Sequence, residues 1–111
     1  MPPKNTNRQT VITAQSALDT LSPVIATEGF ENLALVVTTS AGVSAGAVQV
    51  EGAATSTFAG TWVIVITPLT ANAATTTFEN RLGPRALLPF IRARISTAIT
   101  GGTIDAMIVL N

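Results

Sequence analysis

Ala47-Val48-Gln49-Val50-Glu51 alternates apolar and polar side chains, so that Val48 and Val50 share one face of an extended chain and Gln49 and Glu51 the other. That is the period of a strand with one face on a core. Phe90-Ile91-Arg92-Ala93-Arg94-Ile95-Ser96 repeats it, with Ile91, Ala93 and Ile95 inward and Arg92, Arg94 and Ser96 outward. Across residues 103–110, Ile104, Ala106, Ile108 and Leu110 point one way, and Thr103, Asp105, Met107 and Val109 the other. Leu33–Thr39 and residues 61–67 are apolar on both faces, Trp62, Ile64 and Ile66 opposing Val63 and Val65. Strands of that kind need cover on both sides: a facing sheet supplies one layer, and a loop or another subunit the second. On this reading Glu51 and Asp105 are surface charges and Trp62 belongs to the core.

Weaker strands at residues 10–13, 23–27 and 75–78 bring the total to about eight, spaced as in an antiparallel β-sandwich or jelly roll. The fold class is therefore all-β, and the lack of crossover helices excludes a parallel α/β sheet. Ala14, Ala17, Leu18 and Leu21 fall at helical intervals, which predicts one helical turn ended by Pro23. Residues 1–9 have the composition of an extended N-terminal arm, and residues 10–111 form a single domain. Aligning Gly46 on Gly102 superposes Ser40-Ala-Gly-Val-Ser-Ala-Gly-Ala-Val48 on Ser96-Thr-Ala-Ile-Thr-Gly-Gly-Thr-Ile104. Both read as hairpins around a β-branched plug, Val43 or Ile99, and the second would set Arg94 opposite Asp105.

The 111 residues include no Cys, His or Tyr, and only 11% are charged, with six basic and six acidic side chains cancelling. Charge stands well below the roughly 25% of ordinary soluble domains, so Ser and Thr are expected to carry solubility. Without His or Cys the commonest nucleophiles, proton shuttles and transition-metal ligands are missing, and no phosphate or dinucleotide fingerprint occurs. The expectation is a non-enzyme with no catalytic residues, cofactor or metal. Glu28 and Glu31 flank Gly29-Phe30 without the Asp/Asn-rich run of a calcium loop, and read as a solvated turn. No apolar run nears the roughly 20 residues that cross a bilayer, and the first residues lack the apolar stretch of a secretory signal. Neither a membrane nor nucleic acid is an expected partner at zero net charge, although Arg81, Arg85, Arg92 and Arg94 cluster in sequence near Phe78 and Phe90. Arg92 and Arg94 are better candidates for polar contacts with a protein partner. Apolar residues on outward strand positions, Val63, Val65, Met107 and Val109, are candidate subunit contacts, because such faces would be a solubility hazard in a monomer.

Gly46-Ala-Val-Gln-Val-Glu-Gly52, Gly60-Thr-Trp-Val63, Phe90-Ile-Arg-Ala-Arg-Ile95 and Thr100-Gly-Gly-Thr-Ile-Asp105 together resemble the β-sandwich or jelly-roll structural proteins of tailed bacteriophages, of the head decoration (cement) type. The resemblance spans most of residues 22–110. It implies a virion protein made in the host cytoplasm and bound, as a homo-oligomer and most simply a trimer, to the major capsid protein on the capsid surface. The arm, with Pro2, Pro3, Lys4 and Arg8, would then grip the shell or a neighbouring subunit. A tail, baseplate or fibre adaptor uses the same features, and a carbohydrate-binding module with an aromatic platform is the rival from another class.

Overall fold

The computed structural model describes residues 7–58, 62–82 and 88–111. Dense Val, Ile and Thr favour pleated backbone, and among the described residues eight strands follow one another: β1 (Asn7–Gln15), β2 (Ile25–Ala26), β3 (Leu33–Thr39), β4 (Ala45–Ala53), β5 (Trp62–Thr70), β6 (Thr77–Leu82), β7 (Phe90–Thr100) and β8 (Ile104–Leu110). No helix occurs among the described residues. The strands form two antiparallel four-stranded sheets, ordered β1-β8-β3-β6 and β2-β7-β4-β5. β1 thus lies beside β8, β2 beside β7, β3 beside β6 and β4 beside β5. That nesting is an antiparallel ribbon rolled over on itself, which is a jelly roll.

Between the sheets the inward phase of each strand closes the core. Leu33, Leu35 and Val37 of β3 and Ile104, Ala106, Ile108 and Leu110 of β8 meet Val48 and Val50 of β4 and Ile91, Ala93 and Ile95 of β7, all buried. Each large aliphatic side chain placed there stabilises the fold by roughly 1.5–3 kcal/mol. The inward and outward assignments made from the alternation of β4, β7 and β8 hold for all of these residues.

Several expectations are corrected. Residues 7–9 are not arm: Asn7, Arg8 and Gln9 stand opposite Leu110, Val109 and Ile108 in the first sheet. Unpaired backbone on β8 supplies partners that side-chain composition does not reveal. Pro2, Pro3 and Lys4 lie outside the described residues. The helical turn is absent, because residues 16–22 spend their amides and carbonyls on β7 instead: Ile99 N donates to Ser16 O, Asp19 N to Ile95 O, Ile95 N to Thr20 O, and Ser22 N to Ala93 O.

The two supposed hairpins are sheet-crossing corners. β3 and β8 belong to one sheet and β4 and β7 to the other, so each repeat carries the chain across the sandwich and the two corners meet. Ser40 N donates to Thr103 O, Thr103 N to Ser40 Oγ, and Ser44 N to Thr100 O. At the crossing Gly42 (φ +93) and Gly101 (φ +87) press backbone on backbone, and a Cβ on either would run into the other's carbonyl oxygen. Val43 and Ile99 are buried as the expected plugs. Arg94 and Asp105 are consequently in different sheets.

Hydroxyls do more than solubilise. Ser22, Thr27 and Thr39 are buried; Ser22 Oγ accepts from Ala93 N at 2.8 Å, Thr27 Oγ1 donates to Leu88 O at 2.6 Å, and Thr39 Oγ1 donates to Ala73 O at 2.7 Å while accepting from Thr76 N. They satisfy backbone of β7 or of the loops where the connections dock.

Candidate functional site

β4 and β7 run side by side in the second sheet, in a register that sets Glu51 against Arg92 and Gln49 against Arg94. All four side chains point away from the core, onto the outer face of that sheet. Glu51 is nevertheless wholly buried and Gln49 nearly so. Its carboxylate is divided between two guanidinium groups, with Arg92 Nε 2.9 Å from Oε1 and Arg94 Nε 2.6 Å from Oε2. Gln49 Nε2 donates to Oε2 at 2.7 Å. Arg94 also extends Nη1 to Asp19 Oδ1 at 3.0 Å, which ties the segment preceding β2 to the sheet. Partial burial of Arg94 works against its charge, but the hydrogen bonds to Asp19 and Glu51 and the charges of both carboxylates outweigh it, so its pKa is raised and it stays cationic.

Two aromatic rings finish this clasp. The Arg92 guanidinium stacks 4.1 Å from the Phe58 centroid, and Arg94 stands 5.3 Å from that of Trp62. Phe58 is buried although it sits in a loop and adopts a left-handed conformation, φ +54. Such backbone strain, of order 1–3 kcal/mol, persists only where packing holds the residue in place. Here the buried ring lies over Arg92 beside the ion pairs, and charge pairs next to apolar cover attract more strongly than pairs in water. The chemistry of the cluster is therefore internal neutralisation: two cations and two carboxylates pair with one another.

The four basic residues grouped by sequence do not make one patch. Arg81 lies on β6 in the first sheet, where it pairs with Glu79, Arg85 falls outside the described residues, and Arg92 and Arg94 are held in the clasp. The reading of Glu51 as a surface charge is overturned by the loops that cover it, and that of Trp62 as a core residue by its place on an outer face. Asp105 accepts a 2.7 Å hydrogen bond from Ala14 N, fixing an irregular part of β1. Glu28 and Glu31 are in the expected turn, with Gly29 at φ +87. Among the described residues no group of three or more acidic side chains is placed to hold a metal ion.

The candidate subunit contacts separate into two places. Val63 and Val65 lie on β5, at the edge of the second sheet, while Met107 and Val109 stand half-buried on the outer face of β8 in the first. Around the latter pair the first sheet is shallowly concave. Arg8, Val109, Ala34 and Arg81 form one row across its strands, and Thr10, Met107, Val36 and Glu79 the next. The hollow encloses about 680 Å³, with Asn32 and Asn111 at one end. It is an apolar stripe between Arg8, which has no ion-pair partner among the described residues, and the Arg81–Glu79 pair.

No protein-family model and no curated protein matches the chain. Among solved structures the fold is similar to the SPBc2 prophage-derived protein YomS, with a TM-score of 0.60 and 9% identity over 96% of this chain and 94% of that one. It is also similar to the K1 cleaved adhesin domain of Lys-gingipain from Porphyromonas gingivalis W83, with a TM-score of 0.59 and 12% identity over 82% of this chain and 60% of that domain. At such identities the likeness is one of fold: the protein shares an end-to-end β-sandwich with a prophage-derived protein.

Proposed function

We propose that the protein is a non-enzymatic structural subunit of a phage virion, and that it decorates the outside of the head by binding the major capsid protein. The observation that carries this reading is the likeness to the prophage-derived protein over nearly the full length of both chains. The site chemistry supports it, since the charged cluster is spent on holding loops to the sheet and the open face of the first sheet offers an apolar stripe beside Arg8, a cation with no ion-pair partner among the described residues. Decoration works by mass action: a protein that binds only the assembled lattice stabilises it by its own binding free energy, repeated at every site.

The test is sedimentation of the purified chain with empty expanded heads and, separately, with tails. Heads that carry the protein down and lose it when residues 2–6 are removed support decoration with the arm as a grip. Residues 7–9 stay in that variant because they belong to β1. Binding to tails alone moves the protein to the adaptor role, and binding to neither overturns the virion reading. A second reading, glycan binding, draws on the exposure of Trp62; quenching of its fluorescence by added glycans in a chain that ignores heads would establish it. Arg94 already occupies one face of that ring, which counts against a sugar platform there.

A further inference from the structure

The two sheets leave four edges, β1, β6, β2 and β5. Unpaired strand edges invite pairing with another chain, and proteins guard them with charge, bulges, proline or brevity. Three of these edges are guarded. β1 carries Arg8 and two register shifts, β6 carries Glu79 and Arg81, and β2 is two residues long. Among the described residues β5 is guarded only in its later half, where Pro68 removes a donor and the register against β4 shifts twice. Before the first shift, Trp62, Val63 and Ile64 pair one for one with Ala53, Gly52 and Glu51. That regular stretch is uncharged and apolar on both faces, and its residues are 37%, 48% and 48% exposed.

We infer that this edge is a twofold interface with a second copy of the same chain, in which β5 pairs antiparallel with its symmetry mate about Val63. The second copy is the occupant that the residues fit best. With no charge between Trp62 and Thr70, self-pairing sets no like charges together. A twofold axis at Val63 puts Trp62 across from Ile64 of the other copy, twice, which is the favourable aromatic with β-branched pairing. Val63 then faces its own counterpart on the opposite face, and the two second sheets join into one continuous sheet. The irregular backbone that follows limits regular pairing to this stretch and so fixes the axis there. The contact is isologous and closes at two copies, and it is independent of the proposed binding to heads.

Because the chain has no cysteine, Val63→Cys gives a direct test on the full chain. Residues opposed across an antiparallel pair have Cβ atoms about 4.5–5.5 Å apart, close enough for a disulfide after small adjustment. Under mild oxidation Val63→Cys should form a covalent dimer about tenfold or more faster than Leu18→Cys, a control that is 56% exposed but lies off the edge. Light scattering should find a wild-type mass of two chains falling to one in Val63→Lys, with the melting curve of the variant establishing that it is folded. Cross-linking no faster than the control overturns the inference, as does a wild-type monomer at high concentration. So does a trimer that survives Val63→Lys, since head-to-tail rings do not place Val63 against itself.

Discussion

On the outer face of β8, Met107 and Val109 stand half-buried in an open hollow, whereas on the outer face of β4 in the other sheet Gln49 and Glu51 are buried outright. Both pairs occupy the same phase of the same alternation, the one directed away from the core. The apolar pair is thus the wetter and the polar pair the drier, the reverse of what side-chain hydropathy alone predicts. Alternation fixes direction, and loops decide burial. Among the described residues no loop lies over Met107 and Val109 on the first sheet's outer face, while the second is roofed by Phe58 and flanked by the segment that contains Asp19. A polar layer can be roofed only if its charges cancel, and the Arg92–Glu51–Arg94–Asp19 chain, two cations against two carboxylates, is that condition met.

The largest test of this contrast is Glu51→Ala. Removing the carboxylate strands Arg92, 14% exposed, and leaves Arg94, 21% exposed, with Asp19 alone, and breaking a buried pair from one side costs about 3–5 kcal/mol. Equilibrium denaturation in urea should register that loss as a lower midpoint at unchanged slope. A loss under about 1 kcal/mol would mean that water reaches the clasp and that the two faces are alike. Next in size is Phe58→Ala, which removes the roof and the ring on Arg92. The expected cost is about 3 kcal/mol, at the low end for a buried phenylalanine because a loop can settle into part of the space. Amide exchange should quicken in the paired stretches of β4 and β7 beneath it, and an unchanged exchange pattern would refute the role of the ring as a cover.

Much of the sandwich was legible from residues alone, and the illegible parts share one cause. Ile91, Ala93 and Ile95 declare an inward face, as do Ile104, Ala106 and Ile108, because their period is local to the strand. Which strand crosses to which sheet is a long-range matter. A Gly-bearing, hydroxyl-rich loop such as residues 40–46 serves a hairpin or a sheet-crossing corner equally well, so the residues alone set Arg94 against Asp105, whereas its partners are Glu51 and Asp19. The edge position of β5 was hidden for the same reason, since an apolar run looks alike at the centre and at the border of a sheet. A signal for the clasp did exist in the sequence: Glu51, Arg92 and Arg94 are of compensating sign on outward phases, and Phe58 is a large apolar residue stranded in a loop. Charges that complement each other across two strands, together with a loop aromatic that has nothing local to cover, point to a roofed polar layer.

The smallest effect belongs to the open face and sharpens the contrast by its size. Arg81 and Glu79 lie two residues apart on β6 and form an ion pair, with side chains 77% and 42% exposed. In that setting water solvates each charge nearly as well as the partner does, and holding two long side chains together costs entropy. Arg81→Ala should therefore change the unfolding free energy read from urea by no more than about 0.5 kcal/mol, and raising salt should change wild type and variant alike. The clasp and this pair each join an arginine Nε to a glutamate oxygen, so any large difference between Glu51→Ala and Arg81→Ala measures what the roof contributes. A cost at Arg81 comparable to that at Glu51 would show the hollow of the first sheet to be shielded from water, by this chain or by a second one seated on it. Dilution then separates those two, because only the second makes the cost of Arg81→Ala fall as the protein is diluted.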